Sequence, residues 1–314
     1  MKHRLPFITT ICIFLLLIAG SLVVNFDAGL ACSDWPLCGG KVIPPLEGKV
    51  IIEYSHRMLS MIVGLLIAVN VFVAWRKRKA SPLAAKLTFV ALLLLVMVAV
   101  TGGVNVLLKL PPGFTAVDGT EAMLLFSTFA LISTITFAEH KKRQGAFHPD
   151  KDVKSLYKPA LTATIATLLQ VMLGLFFEHS KAGKIWLQDE YRLLNSLISS
   201  KQIAEGIGYA HMFVTFIVSG AILLLHFHAV NKKKLTRSTT VLAGLLGLQI
   251  LAGFVALISR LAIYSAIIHL ALSALMIAVC VFTVAQARMG VDLLKPNPKA
   301  DTDSDDRYIE KNIS

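Results

Sequence analysis

Apolar residues along this chain gather into long, nearly unbroken stretches rather than the alternating or every-third-position patterns of a soluble domain. Eight stretches are long enough to cross hydrocarbon, which takes roughly 20 residues. They run approximately 5–24, 52–74, 87–108, 116–137, 158–178, 206–229, 238–258 and 262–287. Polar and basic segments separate them. The pattern predicts an all-α integral membrane protein with eight transmembrane helices. The first stretch opens Met-Lys-His-Arg, as a signal peptide can, but no clear small-x-small cleavage site follows. Gly20, Asn25 and Asp27 suit the end of a retained helix.

Composition agrees: 55% of residues are hydrophobic and 16% charged, where a soluble domain carries about a quarter charged. The basic residues concentrate on alternate connections, in Arg76–Lys79, Lys141–Arg143 and Lys232–Lys234, together with both ends of the chain. That bias predicts cytoplasmic N- and C-termini for a multi-pass protein of the cell's inner (cytoplasmic) membrane. The net charge of +12 is thus a topology signal, and a nucleic-acid partner is excluded. Asp301–Asp306 and the rest of the tail read as a disordered cytoplasmic end.

The spans repeat. The second opens Glu53-Tyr-Ser-His56 and the sixth Gly208-Tyr-Ala-His211; His269 opens the eighth, and the matching place in the fourth falls near Asp118. The odd-numbered spans carry small residues near the same ends: Gly20, Gly102-Gly103, Gly174 and Gly253. Such residues let helices approach closely in lipid. The chain therefore divides into two pseudo-symmetric four-helix bundles. Residues 1–138 form the first, 139–157 a cytoplasmic linker, 158–290 the second and 291–314 the tail.

Most of the nine histidines have bland readings. His3, His140 and His148 lie in basic stretches, His179 in an outer loop, and His226 and His228 at an inner helix end. His56, His211 and His269 differ, because each sits within a turn or two of the outer end of an apolar helix, where an ionisable group is costly. A neutral imidazole there either bonds a neighbouring helix or ligates haem iron, and His211 with His269 could grip one haem from both faces. Glu53 lies three residues before His56 on the same helix face; it is either solvated or a proton carrier beside a bound haem. Cys12 and Cys280 lie within spans as small apolar residues. Cys32 and Cys38 share the first outer loop, as a staple or as a redox pair. Residues 179–205, with Ile185-Trp186-Leu187 and Leu193-Leu194, suit an amphipathic interfacial helix over the second half.

The loop Cys32-Ser-Asp-Trp-Pro-Leu-Cys38, followed by Glu53-Tyr-Ser-His56-Arg57, resembles the haem A synthase family of respiratory chains. The resemblance extends over nearly the whole chain. It implies a bis-histidine haem b on His211 and His269, and a first half that takes haem O as substrate and converts its C8 methyl to a formyl group. It assigns substrate-haem binding to His56, catalysis to Glu53 and a disulfide to Cys32 and Cys38. As partners it implies the lipid bilayer, haem O synthase and an unidentified electron donor, with a homo-oligomer an open possibility. One departure stands out. The family's second first-half histidine follows a Leu-Pro-Pro turn; here Leu110-Pro111-Pro112 leads to Asp118, with Glu121 three residues on. Gly39 also replaces a histidine that many members have after the second cysteine.

A bis-histidine substrate site cannot form in such a first half. Three readings follow: a haem A synthase holding its substrate through His56, alone or with Asp118; a membrane cytochrome b or haem-handling assembly factor of the same fold; and an ion-coupled transporter built on Asp118 and Glu121. The last leaves the cysteine loop and His56 without a role.

Overall fold

A computed structural model describes residues 3–188, 197–198 and 200–295. Its ten helices are α1 (Arg4–Asn25), α2 (Lys49–Arg76), α3 (Pro82–Leu107), α4 (Phe114–Arg143), α5 (Lys151–Ser155), α6 (Tyr157–His179), α7 (Ala182–Gln188), α8 (Lys201–Lys232), α9 (Thr236–Ile258) and α10 (Ile263–Met289). All but α5 and α7 are long and apolar enough to cross a membrane. These eight match the stretches read from the sequence. The segment 189–196 and the tail from 296 lie outside the described residues, and with them the expected helix at Leu193-Leu194 and the expected disordered end.

Helix boundaries follow local chemistry. Pro82 opens α3, where its missing N–H costs nothing. Helix α10 stops at Gly290 in the left-handed conformation. Both α3 and α9 close on two successive left-handed residues, Lys109-Leu110 and Arg260-Leu261. In each the second residue's N–H reaches back to a helix carbonyl, Leu110 to Asn105 at 2.6 Å and Leu261 to Ala256 at 2.7 Å. Helices α3 and α9 thus end with the same turn. Helix α4 runs to Arg143, beyond the apolar stretch, because His140–Arg143 remain good helix formers and sit favourably at a helix C-terminus.

Helices α1 to α4 pack on one another, as do α6, α8, α9 and α10, and the two sets meet where α10 touches α1 and α4 and where α4 touches α6. Side chains from both sets build one core, with Ile13, Ile67, Phe126 and Phe129 against Ile277 and Ala274. Without a hydrophobic driving force between helices in lipid, buried hydroxyl and amide pairs help fix their positions. Thr10 and Ser133 are 2.8 Å apart, and Asn70 donates to Thr9 at 2.8 Å.

Polar links also cross between the sets at the end bearing the cysteine loop. Asn25 donates to Glu178 at 2.8 Å, and Asp27 meets Lys181 at 3.3 Å and Lys184 at 3.4 Å. Burial disfavours the Asp27 carboxylate, but the two ammonium groups outweigh it and hold its pKa below the usual range. At the opposite, basic end, Asp150 caps α5, receives Lys234 at 2.5 Å and donates its backbone N–H to the Gly290 carbonyl at 2.7 Å.

Candidate functional site

Four glycines near the cysteine-loop end decide what can sit beside them. A methyl group on Gly174 of α6 would come within 2.9 Å of His211 on α8, and one on Gly253 of α9 within 3.0 Å of His269 on α10. On α1, Gly20 faces His56 of α2 at 3.5 Å. Each histidine is thus seated on a glycine of the preceding membrane helix. The fourth, Gly103 of α3, faces no histidine: the indole of Trp35, from the cysteine loop, lies 3.5 Å away.

A second pattern accompanies the first. Gln170, one turn before Gly174, donates to Thr215 at 2.8 Å and to the carbonyl of His211 at 2.8 Å, and its amide nitrogen lies 3.4 Å from His211 Nε2. Gln249, one turn before Gly253, donates to Ser273 at 2.6 Å and lies 3.1 Å from His269 Nε2. Thr215 and Ser273 in turn donate to the carbonyls of His211 and His269, each four residues earlier. Sequence reasoning missed these amides and hydroxyls, although the signal was available. Gln-x-x-x-Gly precedes each histidine, and His-x-x-x-Ser/Thr follows it. In the first half Ser60 donates to the carbonyl of His56 at 2.8 Å, but position 16 is Leu, and Asp118 is followed four residues on by Ala122.

His211 and His269 approach with ring centres 6.4 Å apart and planes at 65°. A metal held between two imidazoles needs roughly 2 Å bonds on each side, plus about 1 Å from nitrogen to ring centre, a total near 6 Å. The Nδ1 atoms of both rings are buried without a hydrogen-bond partner. This donor set fits an axially ligated haem iron. Phe177 stacks on His211 at 6.3 Å, and Trp186 of α7 meets Phe177 edge-on at 6.1 Å. Ile185 of the same short helix is buried, and α7 packs against α8. His179, expected in an outer loop, is instead the last residue of α6, where it packs on Gly119 of α4 with Nδ1 buried and unpartnered. The helix persists one residue past the apolar run.

The first half is built differently. Cys32 and Cys38 are joined by a disulfide, and the loop they close is tied to α2. Glu53 is 3% exposed, not solvated; it accepts from the Cys32 N–H at 2.7 Å and forms an ion pair with Arg57. The Arg57 guanidinium donates onward to the carbonyls of Asp34 at 2.7 Å, Leu37 at 2.5 Å and Cys32 at 3.3 Å. Asp34 accepts from the N–H groups of Gly39 and Gly40. These backbone bonds hold its carboxyl below the usual range, with Gly40 contributing most.

Asp118 has one carboxylate oxygen buried without a partner, whereas Glu121 accepts from Thr101 of α3 at 3.0 Å. Among the described residues no imidazole ring contacts that of His56. The first half therefore offers one imidazole and a carboxylate with one orphaned oxygen where the second offers two imidazoles.

Comparisons with known proteins give a consistent answer. The family model described as a cytochrome oxidase assembly protein, COX15-CtaA, matches residues 45–281. A Heme A synthase of Lysinibacillus sphaericus is 26% identical over 284 residues, covering 88% of this chain and 91% of the relative. One from Shouchella clausii is 26% identical over 286 residues, covering 90% and 93%. A third, from Alkalihalophilus pseudofirmus, is 30% identical over 178 residues, covering 56% of this chain and 59% of the relative.

Proposed function

This chain belongs to the COX15-CtaA family of cytochrome oxidase assembly proteins, and from that premise we propose that it is a haem A synthase. It is a membrane oxidoreductase that takes the C8 methyl of haem O to a formyl group for terminal oxidase biogenesis. The observation carrying this reading is the likeness to proteins named Heme A synthase over about nine-tenths of both chains. The cytochrome-only reading is not favoured by such relatives.

In this proposal His211 and His269 hold a haem b in the second half, which supports electron transfer when bound. Their 6.4 Å separation and orphaned ring nitrogens favour that assignment. The first half takes haem O. His56, held against Gly20 by the α1–α2 contact, binds the substrate iron on one side, and Asp118 lies on the helix from which a second ligand is missing. A carboxylate is the weaker ligand, so that side is the more open one.

Glu53 sits one turn from His56 with both oxygens engaged, by the Cys32 amide and by Arg57. A carboxylate offers about four acceptor positions, so two remain to accept a proton released in the oxidation. The disulfide acts as a staple, keeping the Cys32 amide aimed at Glu53. The termini face the cytoplasm of a bacterial cell membrane by the charge bias, haem O synthase supplies the substrate, and the four-electron oxidation of methyl to formyl draws on an external oxidant, with an electron donor serving where that oxidant is dioxygen.

The test is to co-express the chain with a haem O source, purify it and identify the extracted haems by chromatography and mass spectrometry. Haem A or hydroxylated haem O is expected. Haem B alone, with haem O demonstrably present in the same membranes, would overturn the synthase reading.

A further inference from the structure

At the basic end of the first four helices, opposite the end that carries His56, His211 and His269, lies a cavity of about 870 Å³. Its wall is formed by Arg4, the turn Arg76–Lys79 and Arg143, with His3 and His140. Positive charge at this end is expected from topology alone, so the matching corner of the second half is the control. There the cations are answered from within the chain. Lys234 pairs with Asp150 at 2.5 Å, Lys232 with Asp152 at 3.8 Å, and Arg237 donates to the Leu294 carbonyl at 3.1 Å. In the first half, among the described residues, Arg4, Arg76, Lys77, Arg78 and Lys79 pair with no carboxylate. Glu139, on the α4 turn beside His140, is taken by the Ser81 hydroxyl.

The surroundings set the depth and the chemistry. The Arg76 guanidinium lies over the Phe72 ring at 5.5 Å and that of Arg78 over Trp75 at 5.2 Å. Both aromatic rings are exposed, which suits the interfacial belt where lipid headgroups sit. Helix α1 begins at the cavity with no side-chain cap, so its first amides add to the positive field. His3 stacks on His140 at 4.2 Å. Its imidazole is held below the usual range, first by burial and then by His140, Arg4 and Arg143, which marks the same surplus of positive charge.

We propose that this cavity is a binding site for a phosphate group, supplied by the headgroup of an anionic phospholipid. Guanidinium forks match phosphate oxygens bidentately, and basic pockets between helices at a membrane surface take anionic headgroups. The pseudo-equivalent corner, neutralised by Asp150 and Asp152, has no such role.

The test uses the purified full-length protein in detergent, titrated with short-chain phosphatidylglycerol, with phosphatidylcholine and with inorganic phosphate, each followed by native mass spectrometry. Wild type should retain phosphatidylglycerol and not phosphatidylcholine. At about tenfold per 1.4 kcal/mol and about 1 kcal/mol per charge, Arg76→Gln with Arg78→Gln should weaken retention on the order of 30-fold. Lys232→Gln with Lys234→Gln should leave it unchanged. Because charge loss can disturb topology, Arg76→Lys with Arg78→Lys provides a charge-preserving pair, expected to weaken retention several-fold through loss of the fork. Saturable binding of inorganic phosphate without lipid retention would keep the phosphate chemistry and overturn the lipid source. Equal loss in both neutralised pairs, or equal retention of phosphatidylcholine, would overturn the site.

Discussion

The imidazole of His211 rests on Gly174 so closely that a single methyl group there would lie 2.9 Å from its Cε1 atom. Such a distance forces one of them to move. Gly174→Ala should therefore tilt His211 away from His269 and abolish or broaden the absorption of a low-spin bound haem, at an overpacking cost of about 1–3 kcal/mol. Gly253→Ala should act the same way on His269. Replacing either histidine by alanine should remove the spectrum entirely. Absorption spectra of the purified variants check all four, and an unchanged spectrum in both alanine-for-histidine variants would rule out second-half ligation.

At the root of the cysteine loop the partly exposed Arg57 pairs with the buried Glu53. Removing one partner of a buried pair typically costs about 3–5 kcal/mol, because the other charge is left without compensation. Arg57→Ala should therefore lower thermal stability and make the Cys32–Cys38 disulfide reducible under milder conditions, read by thiol labelling. Glu53→Gln keeps the Cys32 contact and should lose product formation more than stability. If Glu53→Gln makes product at the wild-type rate, Glu53 has no part in the chemistry.

Asp118→His restores an imidazole to the helix that lacks one. Opposite Gly103, however, the space already holds the Trp35 indole. The single change should tighten haem O binding only modestly, whereas Asp118→His with Trp35→Ala should give a six-coordinate spectrum for the substrate haem. Titration of both variants with haem O, followed by difference spectroscopy, separates these outcomes. No spectral change in either would remove Asp118 from the ligand position.

The contact between Asp150 and Lys234 makes a pH prediction. Lys234 depresses the Asp150 pKa, and Asp150 raises that of Lys234. A depressed carboxylate stabilises the fold above its unfolded pKa of about 4, and this is lost as pH falls through the lower folded value. For Lys234 the contribution is present below an unfolded pKa of about 10 and is lost as pH rises through its higher folded value. Between those limits the clamp holds. Hydrogen exchange of the α5 amides, corrected for intrinsic rates, should be slow at pH 6 and accelerate near pH 3. Asp150→Asn should exchange fast at both.

The eight membrane helices were legible because each is a long apolar run, a signal that needs no tertiary context. Helix α5 was not, since five residues give too few turns for a period to register, whereas α7 carries the Ile185-Trp186-Leu187 of the interfacial helix expected over 179–205. His211 and His269 could be chosen because an imidazole near the outer end of an apolar helix demands a partner. The amides that support them escaped notice, since one Gln in a span is chemically unremarkable until Gly174 and Thr215 are seen beside it. Glu53 reads differently: its place near a helix end left water and a proton-carrying role equally open, and the fold of the cysteine loop buries it. Its partner Arg57 stood in the resembling motif without a role, because its three carbonyl acceptors lie about 20 residues earlier in the chain.

That last arrangement constrains traffic. With Arg57 gripping three carbonyls of the loop from the same helix turn that carries His56, loop and helix form a single rigid piece. A cap of this kind has no hinge between itself and the ligand it covers, so swinging it aside would drag His56 along. An apolar guest must then slip in sideways, parting neighbouring helices from within the lipid, and leave by the same flank. Loosening the cap with Arg57→Gln should accordingly leave the rate of haem O uptake unchanged; faster uptake would mean that the cap gates entry.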